Sequence, residues 1–130
     1  MNIEELIYKI KEDFPILKLL INDIKYKVKI KNKYYNREDR IIIFGEKEKF
    51  ELLNGDKTTE IFMDITFKII PVKFLPYKLI VIAGISKDNN IPNILVFIML
   101  KYLDNISYDQ IFNYLHENFN FKPKIIQKKN

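Results

Sequence analysis

The stretch Ile61-Phe62-Met63-Asp64-Ile65-Thr66-Phe67-Lys68-Ile69-Ile70-Pro71 sets the reading of the whole chain. Its odd positions, Ile61, Met63, Ile65, Phe67 and Ile69, are all apolar. Its even positions run Phe62, Asp64, Thr66, Lys68, Ile70. Side chains alternate faces along a strand, so this period of two predicts a β-strand with one oily face. Asp64, Thr66 and Lys68 share the other face. A carboxylate is costly to bury without a partner. Asp64 therefore marks either an exposed sheet position or a place where a carboxylate is held for chemistry.

Working toward the C-terminus, Tyr77–Ile85 is apolar on both faces, which predicts a strand central in its sheet. Ser86–Asn90 is a polar turn. Ile91–Leu100 predicts a third strand, with Pro92 at its start where a missing donor does least harm. A helix competes over Ile94–Leu103, but the branched residues favour a strand. The clearest helix signal follows. Ser107 reads as its cap with Gln110 three residues on, and Tyr108, Ile111, Phe112, Leu115 and Phe119 mark one helical face. Pro123–Gln127 then predicts a fourth strand. The class is α/β, in the order β-β-β-α-β: an antiparallel meander followed by a crossover to a further strand.

Toward the N-terminus, Asn2 caps a predicted helix carrying Ile3, Leu6, Ile7, Ile10 and Phe14 at helical spacing. Pro15 interrupts it, and the densely apolar Ile16–Ile24 reads as a second short helix. From Lys25 the period changes to two. Tyr26, Val28 and Ile30 face one way, and Lys25, Lys27, Lys29, Lys31 and Lys33 the other. Tyr34 and Tyr35 follow. Asn36–Arg40 reads as a polar turn, and Arg40–Phe44 as a short strand ended by Gly45. Glu46–Leu53 fits one or two helical turns with Phe50 and Leu53 pointing inward, and Asn54-Gly55-Asp56 is a turn. The chain thus divides into an N-terminal helical and basic-strand segment, residues 1–39, and a main unit, residues 40–130.

At 130 residues the chain suits one domain with a real core. Its 48% apolar and 30% charged residues describe a globular protein and argue against disorder. With no Cys and one His, disulfides, a zinc ribbon, a thiol nucleophile and a His-rich metal site are excluded. The longest apolar runs, Leu79–Ile85 and Ile94–Leu100, fall far short of the roughly 20 residues of a membrane-spanning helix. Glu4 and Glu5 near the start do not suit a secretory signal. The expectation is a soluble intracellular protein with no membrane partner. The net charge is +5, and the segment from Lys25 to Arg40 carries a surplus of the same size. Lys25, Lys27, Lys29, Lys31 and Lys33 are accordingly candidate nucleic-acid contacts. The competing reading is a solvated strand face that keeps an edge from aggregating.

The residues from Arg40 to Gln127 resemble the start of a ribonuclease-H-like fold, and more narrowly that of Mutator-like element (MULE) transposases. Asp64-Ile65-Thr66-Phe67-Lys68-Ile69-Ile70-Pro71 is similar to that family's Asp-Gly-Thr-Phe-Lys…Pro signature. Tyr77–Gly84 resembles its second strand and Asn90-Ile91-Pro92 with Ile94–Leu100 its third. Ser107–Phe112 and Leu115 resemble its helix. Pro123-Lys124-Ile125-Ile126 resembles the strand that leads to the second catalytic Asp, and Arg40–Gly45 a short strand ahead of the signature.

The resemblance implies a partial ribonuclease-H-like unit, DNA as partner, a nuclear location, and metal-dependent strand cleavage and transfer. It implies Asp64 as catalytic residue and as ligand to Mg2+ or Mn2+. Such chemistry uses two ions about 4 Å apart held by converging carboxylates. Two departures stand out. Ile65 replaces the family's Gly. The second Asp should fall near Lys128 or Lys129, neither of which is acidic. The expectation is therefore a MULE-type transposase fragment, truncated and inactive alone. The alternative is a non-catalytic nucleic-acid-binding or protein-interaction module. In either case the last strand offers an exposed sheet edge to a second copy of the chain.

Overall fold

A computed structural model of the chain describes residues 5, 8, 12, 19–29, 36–66, 77–86, 92–123 and 125–129. Among these residues, six strands form one mixed sheet: β1 (Leu19–Lys29), β2 (Asn36–Glu46), β3 (Thr58–Thr66), β4 (Lys78–Ser86), β5 (Pro92–Leu100) and β6 (Ile125–Lys129). A single helical turn α1 (Lys47–Phe50), continued by a 3-10 turn at Glu51–Leu53, follows β2, and the long helix α2 (Asn105–Phe119) follows β5. The strand order is β1-β2-β5-β4-β3-β6. All neighbours are antiparallel except β6, which runs parallel to β3.

The β-β-β-α-β order expected from the sequence is present in β3, β4, β5, α2 and β6. The alternation along β3 is as read: Ile61 and Met63 are buried and Asp64 is exposed. β4 lies between β3 and β5, which accounts for its apolar residues on both faces. Phe50 and Leu53 point inward as expected. Glu5, Tyr8 and Glu12 are helical. The rest of the predicted first helix, Lys31 and Lys33, Tyr34 and Tyr35, Phe67–Pro76 and residues 87–91 lie outside the described residues.

Three expectations are corrected. The helix predicted over Ile16–Ile24 is, from Leu19 onward, part of β1, paired with β2 from Leu19↔Glu46 to Lys29↔Asn36. Both faces of this strand take apolar residues. Leu20, Ile24 and Tyr26 pack against the cluster under α2, while Ile21 packs on the opposite face. That double demand erases the alternation which would have identified a strand. Asn36–Arg40, expected as a turn, is the first half of β2, so β2 runs across the division at residues 39 and 40. Its polar residues have partners: Arg40 holds Asp23, and Asp39 is buried and engaged. Finally, the cap of α2 is Asp104. It has extended backbone angles (φ −120°, ψ 173°), and its Oδ1 accepts from the Ser107 backbone N–H at 2.8 Å. Ser107 is instead buried inside the first turn, with its hydroxyl 3.2 Å from the Tyr26 hydroxyl.

The main core lies between α2 and one face of the sheet. Ile41, Ile43, Ile61, Ile80, Ile82 and Ile98 meet Ile111 and Leu115 there, joined by Phe50, Leu53 and Phe121. Each fully buried aliphatic side chain contributes about 1.5–3 kcal/mol. The predicted stripe of α2 faces this cluster, with Tyr108, Phe112 and Phe119 at its margin. On the other face, Ile42, Leu79 and Met99 are buried among Ile21, Phe44, Tyr77, Val81 and Phe97. α2 is also tied to β1 through polar groups. Besides the Tyr26–Ser107 contact, the Tyr114 hydroxyl donates to Asn22 Oδ1 at 2.6 Å. Its C-terminus closes on Asn120 in the left-handed region (φ 54°, ψ 39°), which Asn tolerates better than most residues. The Asn120 carbonyl accepts from Gly55 N–H, and its side chain donates to Asn54 Oδ1, fixing the helix end to the turn ahead of β3.

The middle of the sheet contains a bulge. Ile82 pairs with Val96 but Ala83 pairs with Ile94, so Leu95 is an extra residue. Leu95 and Val96 both turn into the core. Gly84 lies beside this bulge, where a Cβ would stand 2.6 Å from Thr58 Cγ2 and 3.0 Å from Leu95 Cδ1. Gly84→Ala is therefore expected to destabilise the fold by about 1–3 kcal/mol. Adding Thr58→Ser, which removes the nearest methyl, should restore part of the loss. Urea unfolding of both single variants and the double variant measures this coupling. Strictly additive effects would show that the close approach is not the cause.

Candidate functional site

Asp64 sits on the sheet face turned away from α2. The cross-strand registers place it in one row with Ile21, Phe44, Phe97 and Val81, and β6 brings Lys129 alongside it as its register partner. Phe44 and Phe97 stack within that row at 5.5 Å between ring centres. Asp64 is thus an exposed carboxylate at the flank of an apolar row. Its neighbours in register are an aliphatic residue on one side and a lysine on the other. Thr66 lies at the end of β3 in register with Leu79. Lys68 is outside the described residues.

Two divalent ions need several converging carboxylates. Among the described residues, no three His, Cys, Asp or Glu come together in a way that could hold a metal ion. Asp64 supplies one oxygen donor group, and its register partner on β6 is Lys129. Among the described residues, then, Asp64 is not joined by the converging carboxylates that a two-ion Mg2+ or Mn2+ centre uses. Asp104 and Asp109 belong to the start of α2, where Asp104 is committed to the cap.

The basic strand is β1, at one edge of the sheet. Lys25 and Lys27 are exposed, as the period of two predicts, and Lys29 is in register with Asn36. β2 supplies their cross-strand neighbours, Arg40 opposite Lys25 and Glu38 opposite Lys27. Arg40 grips Asp23 through both arms of its guanidinium, Nε to Oδ1 at 2.9 Å and Nη2 to Oδ2 at 2.7 Å. These bonds hold the Asp23 carboxyl below the usual carboxylate range; partial burial opposes the shift, and the charges of Arg40 and Lys25 assist it.

The same register line continues inward. Ile41 pairs with Leu100, and Leu100 with Lys78. The residue after Leu100, Lys101, thus falls between Arg40 and Tyr77, and its Nζ lies 5.2 Å from the centre of the Tyr77 ring. Lys25 and Arg40 on β1 and β2, with Lys101 just past β5 and Tyr77 just before β4, thus fall on one line. Sequence reasoning did not single out Lys101, because a lone lysine after an apolar strand carries no local signal. Only the β2–β5 register brings it into line with the basic strand.

At the opposite end of the sheet an open cleft of about 580 Å³ lies between α1 and the end of α2. Its lining includes Leu20, Phe50 and Phe119 together with Lys47, Lys57, Glu51 and Glu117. His116 is on its rim, exposed, with Nδ1 3.3 Å from the Phe121 carbonyl oxygen. Burial pushes the hydroxyls of Tyr26, Tyr108 and Tyr114 to higher pKa, so they act as neutral hydrogen-bonding groups. Among the described residues no helix is long and apolar enough to cross a membrane. Compared with protein-family profiles, curated proteins and solved structures, the chain has no match.

The Asp23–Arg40 pair has a definite pH signature. Because the folded carboxyl titrates below its unfolded value, its contribution is complete above the ordinary Asp value of 3.8 and is lost as pH falls below that toward the lowered folded value. Asp23 and Arg40 keep 33% and 19% of their side-chain surface exposed, so solvent screening limits the pair to about 1 kcal/mol. Asp23→Asn should be less stable than the parent by up to that amount in urea unfolding at pH 7. The gap should narrow as pH falls below 3.8. A gap that does not narrow would assign the effect to something other than this ion pair.

Proposed function

We propose that the chain is a ribonuclease-H-like domain of MULE-transposase descent that binds nucleic acid and does not itself cleave it. The arrangement of β5-β4-β3-β6 supports the first part. The antiparallel meander is followed by α2 and by a strand parallel to the first, and Asp64 stands within that first strand. The observation that carries the second part is the register of β6, which brings Lys129 beside Asp64. In the intact family chemistry that neighbourhood holds a second metal-binding carboxylate. A lysine at that register position supplies no carboxylate ligand.

The exposed Lys25 and Lys27 support the nucleic-acid reading. Lysines that contact phosphates give affinity that falls with salt and depends little on sequence.

The test is a nicking assay on supercoiled plasmid with Mg2+ or Mn2+, run beside Asp64→Asn. Neither protein should convert the plasmid. Conversion by the parent that Asp64→Asn abolishes would overturn the non-cleaving assignment. The binding half is tested separately by fluorescence anisotropy with labelled DNA at low salt, where a flat titration removes it.

A further inference from the structure

We infer that the anionic partner lies across the strands at one end of the sheet, on the row Lys25–Arg40–Lys101–Tyr77, and that it is the phosphodiester backbone of a nucleic acid. This rests on the nucleic-acid reading above and names the surface that serves it. The row is set by register. Lys25 opposes Arg40, and Lys101 falls between Arg40 and Tyr77. Adjacent strands lie about 4.8 Å apart, so Lys25 and Lys101 are about 10 Å apart at their backbones. Their long side chains can grip neighbouring stretches of one backbone.

The charges facing the row are mixed and decide which residues matter. Arg40 is committed to Asp23, so that pair is close to neutral. Glu38 stands opposite Lys27. Among the described residues the surplus therefore rests on Lys25 and Lys101, both exposed. Lys101 has its ammonium near the Tyr77 ring, which positions it while leaving its protons for an acceptor. The Lys78 Nζ donates to the Lys101 carbonyl at 2.8 Å and steadies the backbone there.

The rival explanation for surface lysines on this sheet is protection of an edge strand. It covers Lys25 and Lys27 on β1. It does not cover Lys101, which follows β5, a strand flanked on both sides by β2 and β4. A row that joins an edge lysine to an interior one is what a ligand lying across the strands requires.

The experiment compares two double variants of equal charge change, Lys25→Ala/Lys101→Ala and Lys47→Ala/Lys57→Ala, the second pair lying at the cleft by the end of α2. Binding is followed by anisotropy with labelled single-stranded DNA, duplex DNA and poly-glutamate over a salt series. Thermal unfolding checks that each variant is folded. The Lys25/Lys101 variant should bind DNA about tenfold more weakly at low salt. Its slope of log affinity against log salt should fall by about 1.8 for duplex or about 1.4 for single strands. The Lys47/Lys57 variant should stay close to the parent, and Lys101→Arg should retain binding. Whichever DNA the parent binds more tightly identifies the form of the partner.

Equal weakening by both double variants would reduce the effect to net charge and overturn the row, while the nucleic-acid reading would survive. Poly-glutamate bound as tightly as DNA would overturn the phosphate assignment. No binding by the parent would overturn the row and the reading together.

Discussion

Four residue pairs hold this sheet together: Ile41, Ile42, Ile43 and Phe44 of β2 against Leu100, Met99, Ile98 and Phe97 of β5. This short seam joins the β1–β2 hairpin to the β3–β6 unit. Its residues alternate between the two faces, and each face has an apolar cluster waiting. Ile41, Ile43, Ile98 and Leu100 go under α2, and Ile42 and Met99 go to the opposite side. A slip of one residue would exchange the faces and drive Arg40 toward the core. Moving an unpaired guanidinium there costs far more than the seam's own hydrogen bonds return. The register is therefore strongly determined, although the pairing is short. Helix α2 reinforces it from above, because Tyr26 and Asn22 of β1 meet Ser107 and Tyr114 of α2.

The sequence reveals those parts of the fold in which one strand has one environment. β3 alternates because one face is buried and the other carries Asp64. β4 is apolar throughout because it is central. The stripe of α2 and the inward Phe50 and Leu53 are legible for the same reason. β1 fails because its first half needs apolar residues on both faces, so Leu19–Ile24 looks helical. The start of β2 fails because a strand whose polar groups find partners in a neighbour resembles a turn when that neighbour is unseen. The cap of α2 shifts by three residues, from Ser107 to Asp104, because both residue types cap well. What separates them is that Ser107 is needed beside Tyr26, a contact between residues 81 positions apart.

The candidate site divides in the same way. Asp64 is visible from its place in an alternating stretch, and Lys25 and Lys27 from theirs. The row that links Lys25 to Lys101 is invisible, because it exists only through the β1–β2 and β2–β5 registers. The neighbour of Asp64 is a further product of register: β6 must pair in parallel with β3 before Lys129 stands where it does. Chemistry that depends on one residue type can be read along a chain. Chemistry that depends on which residues share a row requires the sheet.

Asp64 and the cationic row occupy the same face, and their separation decides whether they act on one another. On β4 the row reaches Tyr77 and the Asp64 line reaches Val81, four residues apart, which is about 13 Å along the strand. Asp64 is displaced by a further strand, adding about 4.8 Å sideways. The screening length is about 8 Å at physiological ionic strength. An exposed carboxylate at that range neither repels a polyanion on the row to a useful degree nor competes for its lysines. The two features are energetically separate. The binding proposed for the basic end of the sheet is therefore independent of what Asp64 does. The proposed contact line at Lys25 and Lys101 is a feature distinct from Asp64, set by a different part of the same register.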